Sequence, residues 1–237
     1  MNEFDKKMAE VFDVIPTKVE EKKETLPAIP TPVGEPDLKS DLGDAYQQTK
    51  ENLQEFIDNG KEALEELIQI PITLKEITLQ DETNVLVLQV TNDYLCLENV
   101  RVSLLPATAQ KVANHFECIL PTKNLVDKIW KACDLKLNPR SMSTNRGSYD
   151  TLKAHNDAIN AQVNNREFVL IGGHKKDIVI NSRMPIGKVI IYGWHYPNGK
   201  PIQPETTVHG DFYKDYSHGT RLISKTVVLN GEVKNIW

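Results

Sequence analysis

Residues 70–90 read IPITLKEITLQDETNVLVLQV. Before Pro71 the apolar residues recur every three or four positions. After it they alternate, which is the change from a helical to a strand period. Proline has no amide hydrogen and its ring clashes with the preceding turn, so a helix ends there. Residues 73–79 and 84–91 read as two strands joined by Asp81-Glu82-Thr83, and 99–105 as a third after a connection at 92–98.

Toward the C-terminus, Pro106 opens a helix to about Phe116. Thr122 is placed to cap a second helix that runs through Val126, Ile129 and Trp130 to Cys133. A polar loop at 134–147 precedes a third helix over 148–164, with Leu152, His155, Ile159 and Val163 on one side. Strands return at 167–172, 177–181, 188–193 and 221–229, and Pro197-Asn198-Gly199 and Asn230-Gly231 are hairpin turns. Residues 71–237 are thus expected to form a mixed, mostly antiparallel α+β domain, large enough for a real core.

Toward the N-terminus the chain is different. Residues 1–39 read as a flexible, acidic, Pro-containing arm. Within it Phe4, Met8, Val11, Phe12 and Ile15 have helical spacing over a stretch too short to be stable alone. Residues 40–70 read as a long amphipathic helix, capped by Ser40 or Asp41. Its apolar stripe holds Tyr46, Leu53, Phe56, Ile57, Leu64 and Leu67, the expected partner-binding residues, followed by Ile68. A lone helix cannot bury such a stripe. It needs a partner helix, another chain or the second domain.

Charge follows the same division. The 237 residues carry a net charge of −5, but residues 1–70 hold 17 Asp/Glu and 8 Lys/Arg, whereas 71–237 hold 16 and 20. The domain's excess of positive charge is small and scattered, and 1–70 lacks a helix-turn-helix or basic stripe, so direct nucleic-acid binding is not supported. No apolar run approaches the ~18 residues of a membrane helix. The acidic start lacks a basic signal region, and three cysteines without a CxxC exclude a disulfide scaffold. A cytoplasmic protein is expected.

The run DLGDAYQQTKENLQEFIDNGKEALEELIQI, residues 41–70, resembles the first helix of the small terminase subunit of T-even-type tailed phages. The resemblance covers residues 1–70. It implies a non-enzymatic DNA-packaging subunit that self-associates or contacts the large terminase subunit, in the host-cell cytoplasm. That family continues into a second antiparallel helix, whereas this chain switches at Pro71. Residues 80–237, with HKKD, IYGWH and DYSHG segments, resemble an uncharacterised bacterial family, which implies no particular reaction.

Four histidines, His174, His195, His209 and His218, stand beside glycines and short acids in GGHKKD, YGWH, VHGD and YKDYSHG. Such loops at strand ends are where chemistry collects. The expected catalytic residues are His174, Asp177, His209, Tyr213, Asp215 and His218. A divalent metal such as zinc would take His174, His209, His218 and Asp215, although no spacing matches a known metal motif. Without a metal, Tyr213, Asp215 and Ser217 could face one site, with His174 or His209 as base. Cys118, just before a helix, is an alternative nucleophile; Cys96 and Cys133 read as packing residues. His155 is expected to donate to a backbone carbonyl in the core. Lys175, Lys176 and Arg221 suit either an anion or a solvated turn. Two functions follow: a packaging protein of small-terminase type, or a hydrolase-like enzyme on a peptide or cell-wall substrate, with residues 1–70 as its tether.

Overall fold

The computed structural model describes residues 67–97 and 99–236. The arm, most of the 40–70 helix and the positions Tyr46, Leu53, Phe56, Ile57 and Leu64 lie outside the described residues.

The alternating segment after Pro71 forms β1 (Leu74–Gln80) and β2 (Val85–Thr91), antiparallel from Leu74 opposite Thr91 to Gln80 opposite Val85. Asp81 makes their turn by accepting from the backbone amides of Thr83 and Asn84, both at 2.9 Å. One face of β2 is buried through Leu86, Leu88 and Val90. That face requires cover, and β2 becomes the hub of an antiparallel six-stranded sheet. Its other edge pairs with β12 (Ile223–Ser224) and β13 (Thr226–Leu229); β12 continues to β5 (Cys118–Ile119) and β13 to β14 (Glu232–Asn235). The expected strand at 221–229 is therefore two strands that break at Lys225, whose amide still follows β5 to the Glu117 carbonyl before the chain joins β14.

A second sheet runs β10 (Pro201–Thr206), β9 (Ile190–His195), β8 (Lys176–Val179), β11 (His218–Gly219). It is antiparallel except where β11 lies parallel to β8. Two short pairs complete the strands: antiparallel β3 (Cys96–Leu97) with β4 (Val100–Arg101), and parallel β6 (Leu135–Lys136) with β7 (Ile171–Gly172). The expected strand at 99–105 shrinks to β4, and β10 has no counterpart in the sequence expectation.

Three helices connect the sheets. α1 (Pro106–His115) starts with proline in its first turn. α2 (Lys123–Ala132) is capped by Thr122, whose hydroxyl accepts from the Leu125 amide. α3 (Tyr149–Val163) is capped by Ser148 and ends at Asn164 in the left-handed region. The domain is a mixed, sheet-rich α+β unit. No helix among the described residues is long and apolar enough to cross a membrane.

One core gathers Leu95, Leu104, Val112, Ile178, Ile191 and Leu222; another joins β2, β12 and β13 to Leu125 and Ile129 of α2. Leu67 is 3% exposed inside the first core, and Ile68, Ile70 and Ile72 pack against it. The expected role of Leu67 in binding a partner is corrected. The end of the helical stripe is covered by the chain's own domain.

Candidate functional site

Strand β8 separates two polar centres. Adjacent strand residues point to opposite faces. Lys176 lies over the ring of Trp194, 5.3 Å from its centroid, on the side of Asp215 and His218. Asp177 meets Tyr94, whose hydroxyl donates to Oδ2 at 2.8 Å, and Arg221, whose Nε is 3.8 Å from Oδ1. Lys175, Lys176, Asp177 and Arg221 are all buried. The solvated-turn reading of the two lysines and Arg221 is overturned, because Lys176 belongs to an inner strand and Arg221 donates to the carbonyls of Thr91 (2.6 Å) and Ile171 (2.8 Å).

On the Lys176 side, a tight turn brings the His218 amide to the Asp215 carbonyl at 3.1 Å. Asp215 accepts from the Ser217 amide (2.8 Å) and the Ser217 hydroxyl, from Tyr213 Oη (3.1 Å), and from Arg146 Nη2 (2.7 Å) and Nε (3.2 Å). Burial pushes its carboxyl up, but adjacent His218, the Ser217 donors and Lys176 together hold it well below the usual carboxylate range. Tyr213 stacks on His209 with ring centroids 3.8 Å apart and meets the His218 ring edge-on at 5.6 Å. His218 is fully buried, and neither ring nitrogen has a hydrogen-bond partner among the described residues. Burial pushes it down to about 3 against the pull of Asp215, so the imidazole is neutral at pH 7.

Four expected catalytic residues, His209, Tyr213, Asp215 and His218, are thus brought together, and two are not. Asp177 lies across the strand. His174 is held by Asp93, its Nε2 3.0 Å from Oδ1, and Asp93 also accepts from Arg101 at 2.9 Å and 2.7 Å. Burial lowers His174 to about 4. The expected metal set of His174, His209, His218 and Asp215 is therefore not assembled. Among the described residues no three His, Cys, Asp or Glu side chains are grouped to hold a metal ion. His174 is engaged elsewhere, and the Arg146 guanidinium on Asp215 opposes a cation, so zinc does not fit these residues.

Two other expectations change. His155 is buried without a partner on either nitrogen among the described residues; instead of donating to a carbonyl it meets the Tyr216 ring edge-on at 4.9 Å. Cys118 sits in β5, and burial pushes its thiol up to about 11, the opposite of nucleophile activation.

On the Asp177 side, Tyr192 Oη (2.8 Å) and His195 Nε2 (2.9 Å) meet on Oδ1 of Asp127. Positions three apart in a regular strand face opposite ways. Gly193 (φ 103°) and Trp194 (φ 57°) break the alternation of β9 and turn both groups toward α2. A non-glycine residue at such an angle is uncommon and collects at functional sites. Trp130 stacks on His195 at 5.5 Å. Burial pushes Asp177 up to about 6, opposed by Arg221 and Tyr94.

Sequence reasoning missed Tyr94, Asp93, Asp127 and Arg146. They stand in a connection, on a helix and in a polar loop, where no local pattern marks them. The glycine in YGWH was the one local signal for the His195 arrangement. No protein-family model, curated protein or solved structure matches the chain.

Proposed function

We propose that the α+β domain is a hydrolase-type enzyme in which His218 acts as general base beside Asp215. One observation carries this reading: a fully buried imidazole, neutral at pH 7, stands beside an ionised carboxylate with neither ring nitrogen engaged by the described residues. Each unmet buried polar group costs ~1–3 kcal/mol, which folding alone does not recover. In the closed site burial leaves this imidazole a weak base; opening to water on substrate entry relieves that burial and lets it rise toward its free value, where it takes a proton from water and Asp215 stabilises the imidazolium. Arg146, whose side chain is 46% exposed, fixes Asp215 and offers a cation at the rim for a carboxylate of the substrate. Tyr213 and His209 cover the base, and a substrate reaches it by displacing their stacked rings. The substrate class is a peptide or cell-wall fragment.

The test is hydrolysis of peptides and cell-wall fragments by the full chain, read as new amine ends. His218→Gln and Asp215→Asn should each lower turnover by ~10²–10⁴-fold. Turnover unchanged in His218→Gln, or no hydrolysis of either substrate class by the natural chain, overturns this reading.

A second reading rests on residues 41–70, whose order and spacing resemble the small-terminase helix. In it the chain is a packaging component in the host-cell cytoplasm that self-associates or binds a large terminase subunit. Light scattering on the full chain should show an oligomer that Leu53→Asp and Phe56→Asp dissociate. A strict monomer with no affinity for a large terminase subunit rules it out.

A further inference from the structure

Between α2 and the second sheet lies a cavity of about 10 Å³, bordered by Tyr94, Trp130, Gly173, Asp177, His195 and Arg221. A space of ~10–15 Å³ accommodates one water molecule. Two buried atoms of its wall have no hydrogen-bond partner among the described residues: Trp130 Nε1 and Asp177 Oδ1. The indole nitrogen only donates, and a carboxylate oxygen accepts. Trp130 Nε1 lies toward Gly173, where an added Cβ would be 3.4 Å away. Asp177 is 3% exposed; its other oxygen is occupied by Tyr94, and Arg221 stands at 3.8 Å, beyond hydrogen-bond reach.

The cavity therefore calls for one small molecule that accepts from an indole and donates to a carboxylate. A metal cation fails, because Arg221 repels it and an indole N–H offers no lone pair. An apolar molecule leaves both demands unmet. Water meets both. His195 borders the same cavity and stacks on Trp130, while its Nε2 reaches Asp127, whose side chain is 35% exposed. The irregular backbone at Gly193 and Trp194 thus sets one imidazole at the wall of the cavity that also holds Asp177, with its Nε2 on the surface carboxylate of Asp127.

We infer that this cavity is a binding site for one water molecule, which accepts from Trp130 Nε1, donates to Asp177 Oδ1 and passes protons between Asp177 and solvent by way of His195 and Asp127. Asp177 loses one proton to the water, the water passes one to the other ring nitrogen of His195, and Nε2 releases its own to Asp127 and solvent; the imidazole ends as its other neutral tautomer, which the reverse transfer restores. His218 and Asp215 lie on the other face of β8, so the cavity stands apart from the hydrolase site.

A high-resolution crystal structure of the full chain should show one ordered water within hydrogen-bond distance of both atoms. A dry cavity, or a water touching neither atom, overturns the site. The path is tested by solvent exchange of the Trp130 indole proton in NMR, with Trp130→Phe assigning the signal. Asp127→Asn and His195→Gln should each slow that exchange by about tenfold while core amide protection is unchanged. Equal exchange in all three proteins overturns the path.

Discussion

Lys176 and Asp177 are consecutive residues of one strand, and each is buried in a different polar centre. Lys176 faces the neutral imidazole of His218 and the carboxylate of Asp215; Asp177 faces Tyr94, Arg221 and the cavity beside His195. The two-residue repeat of a strand divides the centres. Strand β8 can carry both because β9 and β11 flank it, with Gly193 and His218 opposite Lys176.

His218→Leu separates fold from function. The substitution removes two unmet polar atoms from a fully buried position and keeps an apolar side chain in the space. We predict a gain in unfolding free energy of ~1–2 kcal/mol. Urea unfolding measures it, and a loss of more than about 1 kcal/mol would mean that the imidazole is satisfied in the folded protein.

The acid limb of stability is set by buried histidines. Burial lowers His155, His174 and His218 to about 2, 4 and 3 from 6.5. The unfolded chain binds these protons first, so their contribution is complete above pH 6.5 and is lost as pH falls toward the folded values. Asp177 works the other way: raised to about 6 from 3.8, its contribution is complete below 3.8 and is lost as pH rises to 6. Between pH 6 and pH 5, before the unfolded aspartates begin to take up protons, these four groups give the unfolded state a net of about two protons more. Stability should fall there by on the order of 3 kcal/mol per pH unit at most. His155→Phe should reduce the slope by one proton, and a pH-independent urea midpoint across this range would contradict the assignment.

Lys175 produces the opposite limb. Burial lowers it to about 7 from 10.5, and its ammonium donates to the Tyr216 carbonyl at 2.6 Å. Its contribution is complete above pH 10.5 and is lost as pH falls to 7, so Lys175→Met should stabilise the protein at pH 7 and remove the rise between pH 7 and 10. Thermal unfolding at pH 7 and 9 reads both effects, and an identical pH response in the variant would exclude Lys175 as the source.

Gly219 holds Tyr94 against the second sheet. A Cβ at this position would lie 2.5 Å from Tyr94 Cδ1, and Tyr94 is itself buried and bonded to Asp177. Gly219→Ala should cost ~1–3 kcal/mol through overpacking. Calorimetry tests the value, and an unchanged melting temperature would show that Tyr94 yields freely.

The three thiols should be inert in the folded protein. Burial raises Cys96 to about 12 and Cys118 and Cys133 to about 11. Alkylation at pH 8 should proceed at least ~100-fold more slowly than in urea. Rapid native labelling of Cys118 would restore it as a candidate nucleophile.

Local features were legible in the sequence. The change of period at Pro71, the Thr122 cap, the three helices and the turns at Asn198-Gly199 and Asn230-Gly231 depend on neighbours a few residues away. Strand β10 was not legible, because PIQPET carries two prolines and no apolar alternation. At the site, the glycine-flanked histidines marked the right region. They did not reveal that His174 pairs with Asp93, or that Arg146 from a polar loop reaches Asp215.

Local sequence set where the three helices and the β1–β2 hairpin lie, and which histidines and acids were available. Tertiary structure decided which of them meet. Parallel pairing of His218 with Lys176, and an irregular β9 that puts Tyr192 and His195 on one carboxylate, are contacts between distant segments. Their geometry follows from burying the faces of two sheets and the helices between them, and a buried polar side chain takes its partners from whatever that packing brings within reach.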